Sequence, residues 1–288
     1  MTKVVKTTTA TIATIESNLT PTSYNFQDPI TVAIPPPLVP EDLAVSKEQA
    51  RQALQQLPLD ATFSQQHSHL IAFDLTETQR ALDQSDFDAN WEQRIDDKAL
   101  DLLIDDGFIV LDDVYSQTAL LALQAESGFI DYRDAKLAEG VRKTEIRGDR
   151  IRWITKDFYA GYHYLQSINE LAFLLNRTLF AGIRHSEAHY ACYPPGFGYK
   201  WHSDNPVGRD ERVISAVFYL NDEWDEADGG QLSIIDSHNQ SHQLLPKANR
   251  LVIFDSNLQH QVEIAHRQRY SIATWLRSDE ALIVAEPL

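Results

Sequence analysis

The 288-residue sequence predicts an α+β fold, a β-sandwich or barrel with helices packed on one outer face. Two observations carry this expectation. Beyond residue 180 the chain breaks into short apolar runs, AHYACY, VISAVFYL, QLSII, RLVIF, HQVEI and YSIATWL, with turn signals at Pro194-Pro195-Gly196, Gly208, Gly229-Gly230 and Asn249 between them. Ahead of these runs lie a few longer stretches with apolar residues at helical spacing. Strands and helices do not alternate, which argues against a parallel Rossmann sheet.

Taken in order, residues 1–40 are rich in Thr and Pro, lack sustained periodicity and read as a flexible arm, with Pro35 to Pro37 favouring an extended stretch. A helical extension over 41–95 opens at Pro40-Glu41-Asp42 and puts Leu43, Ala50, Ala53, Leu54 and Leu57 on one face. The main domain covers 96–280. Trp91, Ile95, Ala99, Leu102 and Leu103 predict a single helix from about Asn90 to Asp106, stopped by Gly107. FIVLDDV then reads as a strand, SQTALLALQAE as a helix, the stretch to about Thr155 as a loop, and INELAFLLNRTLFAGI as a further helix. There are no internal repeats.

Charge and cysteine content exclude several classes. With 25 Lys plus Arg against 42 Asp plus Glu, the net charge is −17, which repels nucleic acid and anionic membranes. The single cysteine, Cys192, rules out an intrachain disulfide framework and an all-Cys zinc site. No apolar run approaches the roughly 18–20 residues that span a bilayer. The Thr-rich start lacks the arginines of a transit peptide. A soluble, cytoplasmic protein is expected, and its oligomeric state stays open.

The pattern with chemical content is His202-Ser203-Asp204. Residues i and i+2 of a strand project to one face, so this imidazole and carboxylate can converge. His260 follows the strand RLVIF and opens the strand HQVEI. Two His and one carboxylate form the facial triad of non-haem Fe(II) oxygenases, with three coordination positions left for co-substrate and O₂. Nine positions after His260, Arg269 begins another strand, with Ser271 on the same face. Its fork of N–H donors is suited to gripping a distal carboxylate.

ACYPPGFGYKWHSDNP, RVISAVFYLNDEW, GGQLSI, RLVIFDS, HQVEI and RYSIATW, with IRGDRIRWIT upstream, closely resemble the 2-oxoglutarate- and Fe(II)-dependent prolyl hydroxylases. Within them the sequence is most similar to the oxygen-sensing prolyl hydroxylase domain (Egl nine-like) branch and its bacterial relatives. The resemblance runs from about Asp105 to Arg277. It implies a double-stranded β-helix (jelly-roll) with flanking helices. It places Fe(II) on His202, Asp204 and His260, and the 5-carboxylate of 2-oxoglutarate on Arg269 with the phenol of Tyr219. Tyr193 would lie near the metal end of the co-substrate, and Leu232 and Trp275 would line the pocket. O₂ is the second co-substrate, ascorbate joins the set of cofactors, and succinate and CO₂ are the co-products. The partner would be a protein with a target proline: elongation factor Tu in a bacterial cell, a hypoxia-inducible transcription factor in an animal cell. Short loops and the absence of zinc modules favour the bacterial type.

Two departures stand out. Ala273 and Thr274 replace a Thr-then-aliphatic pair common in the animal enzymes, and Asp255 stands where an aromatic is usual. A basic cluster, Arg142, Lys143, Arg147, Arg150, Arg152 and Lys156, is expected to dock an acidic substrate surface through Arg147, Arg150 and Arg152, against the alternative of a solvated loop paired locally with Glu145 and Asp149. His67-Ser68-His69 reads as a surface pair and Cys192 as a buried, inert thiol. Two other functions stay open: the same chemistry on a small molecule or another protein residue, and a non-catalytic, metal-dependent binding module.

Overall fold

Where the sequence predicts one helix over Asn90–Asp106, the chain makes two. α1 (Trp91–Arg94) ends at Ile95, and Asp96 accepts the N–H of Ala99 at 2.8 Å to start α2 (Asp97–Asp105). The apolar spacing continues across the break, but an aspartate offered as an N-cap stabilises a fresh start over continuation. Gly107, at φ 84°, closes α2 as expected. The computed structural model describes residues 84–135, 143–205 and 208–279. The Thr/Pro arm, the helical segment from Pro40, the His67–His69 pair and Arg142 lie outside the described residues.

After β1 (Phe108–Leu111) and α3 (Gln117–Phe129) comes a stretch read from the sequence as loop. It contains two strands, β2 (Arg133–Asp134) and β3 (Arg150–Trp153). Their charged residues conceal the alternation, and they form because β4 offers an edge to pair with: Arg150 stands opposite Cys192 and Trp153 opposite His189. α4 (Tyr159–Leu179) begins nine residues before the predicted INELAF segment. Its first turn is held from outside. The buried Glu126 of α3 accepts the N–H groups of Ala160 (3.1 Å) and Gly161 (2.8 Å) and the hydroxyl of Tyr190 (2.6 Å). A remote carboxylate thus caps α4, and no local spacing encodes it.

The remaining strands are β4 (His185–Tyr193), β5 (Tyr199–His202), β6 (Arg212–Tyr219), β7 (Leu232–Ile235), β8 (Ser241–Leu244), β9 (Leu251–Asp255), β10 (His260–Val262) and β11 (Arg269–Arg277). They form a seven-stranded sheet, ordered β1-β9-β6-β11-β4-β3-β2, and a four-stranded sheet, ordered β5-β10-β7-β8, with antiparallel pairing between neighbours. This is the expected jelly-roll with flanking helices.

The larger sheet has two faces of different chemistry, set by the two-residue side-chain period. On one, Ile214, Ala216, Phe218, Ile272 and Leu276 pack with Tyr164, Ile168, Leu171 and Leu175 of α4. On the other, Tyr219, Val252 and Phe254 meet Leu232 and Ile234 of the smaller sheet. That second face continues into a cleft of about 1160 Å³ between the sheets.

Candidate metal and co-substrate site

Strand register assembles the site. His260 of β10 pairs directly with His202 of β5, so the two imidazoles lie side by side with ring centroids 4.2 Å apart. Asp204 is not on the strand, as the i, i+2 argument supposed. β5 ends at His202, and the chain turns before Asp204, whose N–H donates to Ser256 O at 3.0 Å. The turn still delivers the carboxylate. Its oxygens lie 3.9 Å from His202 Nε2 and 3.8 Å from His260 Nε2, and the three ligand atoms all fall within 4.8 Å of one another.

The ligands are oriented from behind. His202 Nδ1 is 2.8 Å from Lys200 O, and His260 Nδ1 is 3.0 Å from Leu258 O. A carbonyl can only accept, so both protons sit on Nδ1 and both Nε2 lone pairs face the site. Tyr199 stacks on His202 at 3.6 Å, and Phe254 meets His260 edge-on at 4.8 Å. Asp204 accepts the hydroxyl of Ser215 at 2.5 Å, and Ser215 in turn bonds Ser256 at 2.8 Å. Burial alone would raise the Asp204 carboxyl, but His260, His202 and Ser215 hold it below the usual carboxylate range. Burial, joined by the charge of His260, pushes the His202 imidazole well down. Both shifts favour the species that binds a cation: an ionised carboxylate and a neutral imidazole.

A second cluster lies on β11. Arg269 is 1% exposed. It donates from Nε to Gly230 O (2.9 Å) and from Nη1 to Ser271 Oγ (3.3 Å), and it lies between the rings of Tyr193 and Tyr219, 5.1 Å from each centroid. Gly230, at φ 66°, makes this possible: a Cβ there would come within 2.9 Å of Arg269 Cδ. Among the described residues no carboxylate pairs with this guanidinium. The Tyr219 hydroxyl is likewise buried without a hydrogen-bond partner. Burial raises both phenols, so Tyr193 and Tyr219 remain neutral hydrogen-bond donors. A buried cation with no acid beside it, next to an unpaired donor, is a receptor for an anion. Tyr193, Leu232, Trp275 and Arg269 line the same cleft as the three metal-ligand candidates.

Residues 188–277 match the family described as the 2OG-Fe(II) oxygenase superfamily. Prolyl hydroxylase EGLN3 of Mus musculus is 36% identical over 160 residues, 50% of this chain and 65% of that protein. The chain thus matches just under two thirds of the length of that relative. The crystal structure of a Pseudomonas putida prolyl-4-hydroxylase is 34% identical with a TM-score of 0.59, over 63% of this chain and 98% of that one. The chain belongs to the 2OG-Fe(II) oxygenases. A Trichoplax adhaerens prolyl hydroxylase, solved with a peptide of the hypoxia-inducible factor oxygen degradation domain, is 27% identical with a TM-score of 0.62, over 68% of this chain and 96% of that one. The donor set fits what this superfamily uses. Two imidazole nitrogens and a carboxylate suit Fe(II), and the orphaned Arg269 and Tyr219 suit the far carboxylate of 2-oxoglutarate.

Other expectations fare differently within this oxygenase. Arg147 is not a free docking cation. Asp149 holds it through two bonds of 2.7 and 3.0 Å, and it packs over Tyr199, behind His202. Arg150 is more than half exposed and pairs with Asp134 at 3.5 Å; Arg152 lines the cleft. The Thr274 hydroxyl points away from the site, bonding Tyr164 at 2.8 Å, and Ala273 takes the cleft-facing position. Cys192 is buried, and burial lifts its thiol to about 11. Sequence reasoning missed Ser215 and Ser256. Ser215 could have been found, because a lone hydroxyl among VISAVFYL marks the face that must meet something polar.

Proposed function

We propose that this chain is a dioxygenase dependent on Fe(II) and 2-oxoglutarate that hydroxylates a prolyl residue of a protein substrate. The observation that carries the reading is the coexistence, in one cleft, of the three converging ligands and an acid-free buried arginine. His202, Asp204 and His260 would hold the metal, and Arg269 with Tyr219 the far end of the co-substrate. When bound, Fe(II) with 2-oxoglutarate and O₂ supplies the oxidising power that places a hydroxyl on a C–H carbon and yields succinate and CO₂.

The protein contributes orientation and exclusion of water. Nδ1–H bonds to Lys200 O and Leu258 O fix both imidazoles, and the Ser215–Ser256 pair fixes the carboxylate. Leu232 and Phe254 close the inner wall, with Val252 packed in the same apolar cluster. On the open side, Trp153, Arg152 and Arg212 line the cleft, whose volume of about 1160 Å³ exceeds the roughly 300–1,000 Å³ of small-molecule sites. Ascorbate would serve in reactivation. No helix among the described residues is long and apolar enough to cross a membrane.

The test is a mass-spectrometric search for prolyl sites carrying one added oxygen (about +16 Da) in cells with the wild-type protein that vanish in a His202→Ala strain. Elongation factor Tu is the first substrate to inspect if the source is bacterial. Oxidised sites confined to another residue type would defeat the prolyl assignment. Absence of a weak charge-transfer absorption from purified protein with Fe(II) and 2-oxoglutarate would defeat the catalytic one.

A further inference from the structure

The cleft holds one more imidazole, used by neither the triad nor the Arg269 cluster. His189 of β4 stands opposite Trp153 of β3 and Ala273 of β11, lines the cleft, and is only 2% exposed. Its Nδ1 is 3.2 Å from Tyr190 O. A carbonyl only accepts, so Nδ1 carries the proton and Nε2 is left as a bare acceptor. Nε2 is buried and has no hydrogen-bond partner. Two indoles flank the ring, Trp153 edge-on at 5.1 Å and Trp275 at 5.2 Å. Burial takes the imidazole pKa down to about 4, so near neutrality it is an acceptor and not a cation.

An unpaired buried acceptor is destabilising, because it has lost its water and gained no donor in exchange. Nothing on the sheet relieves it. The neighbouring cleft-facing residue of β11 is Ala273, without a donor, and the one hydroxyl nearby in sequence, on Thr274, faces α4. The neighbour with the most freedom is Trp153, 44% exposed, so the side from which a partner can reach Nε2 is the open cleft.

We propose that His189 is a specificity-determining residue, whose Nε2 accepts a hydrogen bond from a main-chain N–H of the substrate beside the target proline. The inference rests on the prolyl-hydroxylase reading above and adds which substrate group is recognised. A prolyl residue has no N–H of its own, and the main-chain donor nearest its ring is the N–H of the residue that follows. The indoles of Trp153 and Trp275 give that segment flat apolar walls, and Nε2 gives it a single polar point. A buried group built to receive a donor rejects an analogue that lacks one, because the group is then left unpaired.

The experiment uses a peptide spanning a hydroxylated site mapped by the His202→Ala comparison, and the same peptide with the amide after proline replaced by an ester. The full-length wild-type protein should prefer amide over ester by about tenfold in kcat/KM, the size of one hydrogen bond, expressed mainly in KM. His189→Met should reduce the preference to less than twofold. His189→Gln, whose Oε1 can occupy the place of Nε2, should restore it to at least fivefold. Damage to folding alone would slow both peptides equally and leave the ratio intact. Equal turnover of amide and ester by the wild type, or a preference that survives His189→Met, overturns the proposal while the prolyl reading stands. If no hydroxylated prolyl site is found, both readings fall together.

Discussion

The two faces of the seven-stranded sheet are built from the same strands, yet they treat polar groups in opposite ways. On the helix side, Thr274 bonds Tyr164 and Tyr190 bonds Glu126, so the polar atoms the sheet buries there are paired with helix partners. On the cleft side, one residue along the same strands, Arg269 has no carboxylate, and the Tyr219 hydroxyl and His189 Nε2 have no partner. Of the sheet's own residues, these last two hold the only side-chain atoms among the described residues that are buried and unpartnered. Unpaired polar groups are costly; within the sheet they lie on the cleft face, while Tyr115 Oη, Gln124 Oε1 and Ser167 Oγ are unpartnered among the helices. One face of the sheet packs against the helices, and we propose that the polar groups of the other are completed by its ligands.

The largest effect should come from removing one of the proposed metal ligands. His260→Ala should abolish Fe(II)-dependent turnover and leave the melting temperature of the metal-free protein within a few degrees, because the triad is not part of the helix-side core. Collapse of the fold in this variant would show that the cleft side also carries stability. The next effect is at Arg269. Arg269→Met should raise KM for 2-oxoglutarate about 100-fold, in line with about 2–5 kcal/mol for truncating one partner of a buried charge pair. The apo protein should be as stable as the wild type or more so, since a lone buried cation is replaced by a packed apolar chain. Thermal unfolding with and without 2-oxoglutarate separates the two effects. An apo protein strongly destabilised by this change would mean that Arg269 already has its partner.

Ser215→Ala probes the support behind Asp204. Losing the hydroxyl at 2.5 Å should weaken Fe(II) binding by about 10-fold, the lower end of what such supporting contacts contribute, with the fold unchanged. Titration of Fe(II) or a redox-inert surrogate by calorimetry measures this. Unchanged affinity would assign the orientation of Asp204 to its backbone bond with Ser256 alone.

How much of this was legible in the sequence depended on whether the cause was local. The short apolar runs β4, β6, β9 and β11 declared themselves between their turn signals, and His202, Asp204, His260 and Arg269 stood out through the motifs that flank them rather than through their residue types. β3 did not, since RIRW pairs only because β4 is beside it. The start of α4 was hidden for the same reason: its cap, Glu126, lies 34 residues upstream of Ala160. Arg147 looked free because Asp149, two residues away, reads equally well as a solvent-facing neighbour; only the fold shows the carboxylate to be 1% exposed. His189 looked like any other histidine. Its significance comes from having no partner, a property of three-dimensional packing that no spacing in the chain announces.

The smallest expected effect on catalysis lies on the helix side, where a change should alter stability and leave the cleft untouched. Glu126 is buried among three donors, the N–H groups of Ala160 and Gly161 and the Tyr190 hydroxyl. Burial dominates these donors, so its carboxyl sits above the usual range. A group whose pKa is raised by folding contributes stability that is fully present below its unfolded value, about 4.3, and lost as pH climbs through the folded value. Glu126→Gln removes that titration, so the melting-temperature advantage of wild type over this variant should be greatest near pH 4 and shrink as pH rises. Glu126→Ala, which strands all three donors at once, should cost about 2–4 kcal/mol at any pH without raising KM for 2-oxoglutarate. A wild-type advantage that is flat or grows with pH would mean that the carboxylate is satisfied as an anion, so that the helix side is even more fully paired than burial implies. A changed KM in the alanine variant would couple the two faces.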